Sequence, residues 1–244
     1  MPGWKRVATI LLIVLGPGSI IYFLAKGLKN KFVELPHLGE YDYSYDADSN
    51  IVDSSVFILP EFELTKFDGS VINRDSIKGK FIVLSTVQQT CPKMEECGMS
   101  FYHFNELFFS KMVKNQGNYG NVKVLSILTD ENGLPINEGP SELLLEEMEE
   151  YDSDIWWMCY GDPTPLFSWD YYGKNFMKHE ATQRDGEIGD WAFVSSLVLI
   201  DSEGSVRGVS GAKKDSDIRN FFDMLKLLKK EDFDKQWEEK KKNN

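Results

Sequence analysis

Lys80-Phe81-Ile82-Val83-Leu84-Ser85-Thr86-Val87 is a mostly apolar run that leads directly into Gln89-Thr90-Cys91-Pro92-Lys93-Met94-Glu95-Glu96-Cys97-Gly98-Met99. Apolar residues at consecutive positions suit a strand buried on both faces. A cysteine placed where a strand gives way to a helix lies among backbone N–H groups that stabilise a thiolate. Cys91 and Cys97 are therefore the candidate redox or metal-binding thiols. Their spacing is C-x5-C. On a helix such a pair would be separated by about 9 Å of rise and would point about 120° apart. A disulfide needs Cα atoms within about 7 Å, so these two close only over a non-helical segment. Pro92 permits a loop there without requiring one.

Upstream, Phe62-Glu63-Leu64-Thr65-Lys66-Phe67-Asp68-Gly69-Ser70 reads as a short hairpin with Asp-Gly at its turn. Downstream, residues 92–113 are a helix candidate offering Met99, Tyr102, Phe104, Leu107 and Phe108 to a core. Val122 to Asp130 is a second buried strand, Ser141 caps a helix reaching Tyr151, and Ile155 to Tyr160 is a short aromatic strand. Leu197-Val198-Leu199-Ile200-Asp201 and Val206-Arg207-Gly208-Val209 form a hairpin, and a last helix from about Asp217 carries Ile218, Phe221, Phe222, Leu225 and Leu228 on one side. Strand, helix, strand, helix, hairpin, helix specifies an α/β protein: a thioredoxin-like fold with a mixed central sheet flanked by helices.

The 244 residues suffice for one core with extensions, and 42% hydrophobic with 27% charged residues is the composition of an ordinary folded protein. A net charge of −12 opposes phosphate, so no nucleic-acid partner is expected. The Lys-rich stretch from Lys226 to Lys242 is interleaved with acids and reads as a solvated helix face. Val7 to Ala25 holds 19 residues without a charge, close to the roughly 20 a membrane-crossing helix needs. No small-x-small cleavage site follows it, which favours a retained N-terminal transmembrane helix acting as a signal anchor. Lys5 and Arg6 precede this span and Lys26, Lys29 and Lys31 follow it, so flanking charge is nearly balanced. The short leader favours an N-terminus inside, giving a single-pass protein of the cytoplasmic (inner) membrane with its soluble domain on the exported, periplasmic side. An oxidising compartment permits disulfides, although three cysteines leave at least one unpaired. The expected organisation is a short segment 1–6, an anchor 7–25, a polar tether 26–55, the folded domain 56–230 and a charged tail 231–244.

Phe62-x-Leu-Thr-x-x-Asp68-Gly69, Gly79-Lys80, Thr90-Cys91-Pro92, Leu125-Ser126-Ile127 with Asp130, and Leu199-Ile200-Asp201-x-x-Gly204 together resemble the SCO/SenC family in order and spacing. That resemblance implies a membrane-anchored thioredoxin fold, copper as cargo, and a protein partner in respiratory oxidase assembly. The family's copper site takes two cysteines in Cys-x-x-x-Cys-Pro and a distant histidine. Counted from Gly79-Lys80, Cys91 falls on the first cysteine and Glu95 on the second; counted back from Leu199-Ile200-Asp201, Phe193 falls on the histidine. The resemblance therefore implies an altered metal site.

Three kinds of chemistry fit these residues. Cys91, Met94, Cys97 and Met99 supply four sulfurs in nine residues, and thiolate with thioether favours Cu(I), making Cys91, Cys97 and Met94 the candidate metal ligands. Thiol–disulfide oxidoreductase chemistry would use Cys91 as the attacking thiolate, with Cys97 or Cys159 resolving; 191–197 lacks the proline that such enzymes place before the facing strand. A non-catalytic, partner-binding protein would keep its cysteines as structural groups, and Cys159 among Trp156, Trp157, Met158 and Tyr160 reads as a small buried hydrophobe. The balance favours a protein that is not an enzyme. His37, His103 and His179 have no motif partners, and no hydrolase or phosphate-binding signature is present.

Overall fold

The computed structural model describes residues 34–89, 101–130, 134–149, 151, 153–176, 196–212 and 214–242, with Trp4, Ser19 and Tyr22. A compact unit begins at Leu35, not at residue 56. Its first elements lie in the expected tether: β1 (Asp42–Tyr45) and β2 (Ile51–Ser55) pair antiparallel as a separate hairpin. Next come β3 (Glu63–Lys66), β4 (Val71–Asn73), the single-turn α1 (Arg74–Ile77) and β5 (Phe81–Gln88). Then follow α2 (Phe101–Phe104), a π-helical stretch Asn105–Phe109, α3 (Ser110–Val113), α4 (Gln116–Tyr119) and β6 (Val122–Thr129). The remainder is α5 (Glu142–Met148), β7 (Trp156–Tyr160), α6 (Thr164–Phe167), the small hairpin β8 (Asp170–Tyr171) and β9 (Lys174–Asn175), the hairpin β10 (Ser196–Ile200) and β11 (Val206–Gly211), and α7 (Asp215–Lys242).

Seven strands form one sheet in the order β11-β10-β5-β6-β7-β3-β4. β5, β6 and β7 are parallel, whereas β10 is antiparallel to β5 and β3 is antiparallel to β7. A parallel β5–β6 pair, joined by a helical crossover and extended on the other side by the β10–β11 hairpin and a final helix, is the thioredoxin arrangement. Both faces of the sheet are covered. Phe81, Val83 and Val87 of β5 join α7 through Ile218, Phe221, Leu225 and Leu228 on one face. Ile82 and Leu84 join Leu59, Phe62, Leu125, Ile127, Trp169 and Phe176 on the other. This two-sided burial explains why apolar residues stand at consecutive positions in β5 and β6, five of eight in each.

The π-helical stretch carries Leu107, Phe108 and Phe109, all buried in the same core; its wider turn narrows the arc that three consecutive side chains span. The tail expected over 231–244 continues α7 to Lys242, and that half of the helix carries exposed Phe233 and Trp237. Among the described residues no helix is long and apolar enough to cross a membrane; of the expected transmembrane helix 7–25 only Ser19 and Tyr22 are described, so that expectation lies outside the described residues.

Candidate functional site

β5 and β6 run in register to their carboxyl ends, where Gln88 stands opposite Thr129. Beyond the last pair, the Gln89 N–H donates to the Thr129 carbonyl at 3.0 Å and the Thr129 hydroxyl donates to the Val87 carbonyl at 3.4 Å. The parallel strands are thus locked up to Gln89, and Cys91 follows two residues later in the chain. In open α/β sheets, ligands gather in the crevice outside the carboxyl ends of the strands.

One wall of this edge is made where the chain after β6 folds back. The Leu134 N–H donates to the Asp130 carboxylate at 2.8 Å, the Asp130 N–H donates to the Leu134 carbonyl at 2.8 Å, and Ile136 bonds back to Leu128. β10 is antiparallel to β5, so its first residue, Ser196, lies at this same end. Behind the edge a buried polar chain ties three strands together. Ser85 and Ser126 share a hydrogen bond of 2.6 Å across β5–β6, and Trp156 Nε1 of β7 donates to Ser126 Oγ at 2.8 Å. The Trp156 ring also receives Phe104 edge-on at 5.1 Å and Phe109 at 5.0 Å. The helix entered after the cysteine stretch is thereby fixed on the sheet.

Cys91, Met94, Glu95, Cys97, Met99, His179 and Phe193 lie outside the described residues. Cys159 is described, and its expected part in thiol exchange is corrected. It sits in β7 between Ile127 and Lys66 on the neighbouring strands, fully buried, and burial pushes its thiol up to about 12. A thiol held protonated in an apolar layer neither attacks nor resolves a disulfide. Its expected role as a small buried hydrophobe is what the fold shows. His103 is half-buried on α2, and among the described residues no three His, Cys, Asp or Glu side chains converge on a metal-sized site.

A second polar cluster escaped the sequence reading. Arg207 of β11 is 2% exposed. It donates to Asp201 at 3.1 Å, to both Glu231 oxygens at 2.7 and 2.9 Å, and to the carbonyls of Leu35 at 2.6 Å and Pro36 at 3.3 Å. Leu38 adds an antiparallel bridge to Val206. One guanidinium therefore straps segment 35–38 to β11 and α7. His37 lies within the strap with its Nδ1 buried and, among the described residues, without a hydrogen-bond partner. Burial first, and then the Arg207 charge, lowers its affinity for a proton. Its sequence signal is a lone charge in the strand Val206–Gly211, whose other residues are uncharged.

No family model matches the chain and no curated protein matches it. Solved structures similar to it include BsSco, a member of the Sco family of cytochrome c oxidase assembly proteins, at 17% identity over 71% of this chain and 94% of that one, TM-score 0.49. A SCO1/SenC family lipoprotein from Bacillus anthracis is 21% identical over 70% of this chain and 95% of that one, TM-score 0.46. ScoI from Bradyrhizobium japonicum, solved with copper bound, is 18% identical over 70% of this chain and 99% of that one, TM-score 0.42.

Proposed function

We propose that this chain is a membrane-tethered thioredoxin-fold protein of Sco/SenC type that handles copper in respiratory oxidase assembly, with Cys91 as its working thiol. The observation that carries the proposal is the locked carboxyl end of β5. Gln89 is fixed against Thr129 at the sheet edge where ligands gather in folds of this kind, and Cys91 follows two residues later in the chain. Copper is cargo here, and soft sulfur donors suit Cu(I). With Glu95 and Phe193 at the other two family positions, the remaining sulfur would come from Cys97 or Met94. Exchange chemistry at the same thiol would leave Cys97 as its one resolving candidate, because Cys159 is buried and protonated. The uncharged span 7–25 would anchor the chain in the cytoplasmic membrane, with residues 26–34 leading to the compact unit on the exported side.

Anaerobic Cu(I) titration of the reduced full chain in detergent tests the copper reading. About one equivalent should bind in competition with a Cu(I) chelator, and Cys91→Ala should abolish it. Equal binding by the variant, or no binding by the parent chain, would overturn the proposal.

A further inference from the structure

The β1–β2 hairpin buries none of its strand residues: every position of β1 and β2 is exposed, and among the described residues the two strands pair only with each other. A lone two-stranded ribbon is marginal in water, yet this one is fixed at both ends. At its tip the Asp46 carboxylate accepts from the Asp48 N–H at 2.9 Å, the Asn50 N–H at 2.8 Å and the Asn50 side chain at 3.1 Å. At its base Gly39 takes φ +101°, and a Cβ there would lie 2.5 Å from Phe57 Cβ, so only glycine allows the two chain segments to cross. Leu38 is bonded to Val206 and Leu59 to Gly204 on either side of that crossing.

The ribbon's surface combines two properties. Tyr41, Tyr43 and Tyr45 recur at every second position, so they share one face; the rings of Tyr41 and Tyr43 stack at 6.2 Å, and Ile51 stands opposite Tyr45. All three tyrosines and Ile51 are exposed. Glu40, Asp42, Asp46, Asp48 and Asp53 give residues 40–55 five carboxylates and no lysine or arginine. Among the described residues no lysine or arginine forms an ion pair with any of them.

We propose that this hairpin docks a basic protein surface, its tyrosine row lying against Lys or Arg side chains that its carboxylates attract. Tyrosine offers a large contact area for little lost conformational freedom, and its ring face accepts a cation. The same five charges repel nucleic acid and anionic lipid headgroups, and they oppose pairing with a second acidic copy. The docking role is independent of the chemistry at Cys91.

Binding of the full chain to an immobilised peptide of alternating lysine and valine, followed by biolayer interferometry, tests this. Affinity should fall at least about ten-fold between about 50 and 300 mM salt. Replacing Tyr41, Tyr43 and Tyr45 by serine leaves the charge unchanged and should weaken binding about ten-fold; Asp42→Asn with Asp53→Asn should weaken it comparably. Glu238→Gln with Glu239→Gln, which removes two charges from the end of α7, should leave it within about two-fold. These hairpin residues lie outside both cores, so circular dichroism melts should be unchanged. Full affinity in the tyrosine variant would mean general attraction to an acidic protein and would overturn the proposal. So would hairpin-dependent self-association in sedimentation.

Discussion

Burial raises the thiol of Cys159 to about 12 and lowers the imidazole of His37, because it disfavours the charged form of each. For Cys159 the expected outcome is chemical silence: iodoacetamide at about pH 8 should modify it only after denaturation, as read by peptide mass spectrometry. Rapid labelling in the folded protein would contradict its place in the core. For His37 the consequence is a pH dependence. Its folded affinity for protons lies below the ordinary 6.5, so the unfolded chain takes up a proton first as pH falls. Its contribution to stability is full above that value and declines as pH falls from there toward the folded one. Glu231 follows at lower pH. Burial alone would raise its carboxyl, but the hydrogen bond and charge of Arg207 outweigh burial and hold it below the ordinary 4.5. That contribution is present above 4.5 and is lost as pH falls through the folded value. Urea denaturation between about pH 8 and pH 2 should show both windows, and His37→Gln should flatten the upper one. An unchanged upper slope would remove His37 from the account.

At the scale of elements, α7 is two structures in one helix. Ile218 to Leu228 is core, whereas beyond Glu231 the helix makes surface contacts such as the Gln236–Asp232 hydrogen bond at 2.9 Å. Deleting residues 236–244 should therefore change the free energy of unfolding by no more than about 0.5 kcal/mol. Ending the chain at Lys230 also removes Glu231 and leaves Arg207 buried with one carboxylate. That deletion should cost about 3–5 kcal/mol. Denaturant melts of the two truncations distinguish the halves, and equal losses would show that the distal turns carry stability of their own. α5 shows the opposite economy: Ser141 Oγ accepts from the Leu144 N–H at 3.3 Å, and Leu144 is the residue by which that helix is buried. A side-chain acceptor at the first turn is a signal that sequence carries openly.

Across the whole molecule, legibility followed burial. β5, β6 and the core face of α7 were readable because two-sided or one-sided burial imposes a pattern on side chains. The Asp68-Gly69 turn was readable because glycine at φ +80° leaves a mark. The β1–β2 hairpin was read as tether because no core covers it and its turn is held by the Asp46 carboxylate rather than by an Asn-Gly pair. The true start of the compact unit was hidden for a related reason: Arg207 grips the carbonyls of Leu35 and Pro36, and backbone acceptors have no sequence signature. At the candidate site the placement of Cys91 after a buried strand was legible, whereas the Thr129 bonds and the Ser85–Ser126–Trp156 chain that stiffen the edge depend on contacts across strands. The Arg207 strap has one more consequence, a mechanical one. If the chain ahead of Leu35 is held and the hairpin is pulled by a bound partner, tension enters at residues 35–38 and 57–59, on both sides of the hairpin's base. The load then falls on the guanidinium and the Val206 and Gly204 carbonyls before it reaches the seven-stranded sheet. Those contacts act as a strain relief, so stretching from the N-terminus should first peel the strap while the β5–β6 edge that precedes Cys91 stays intact.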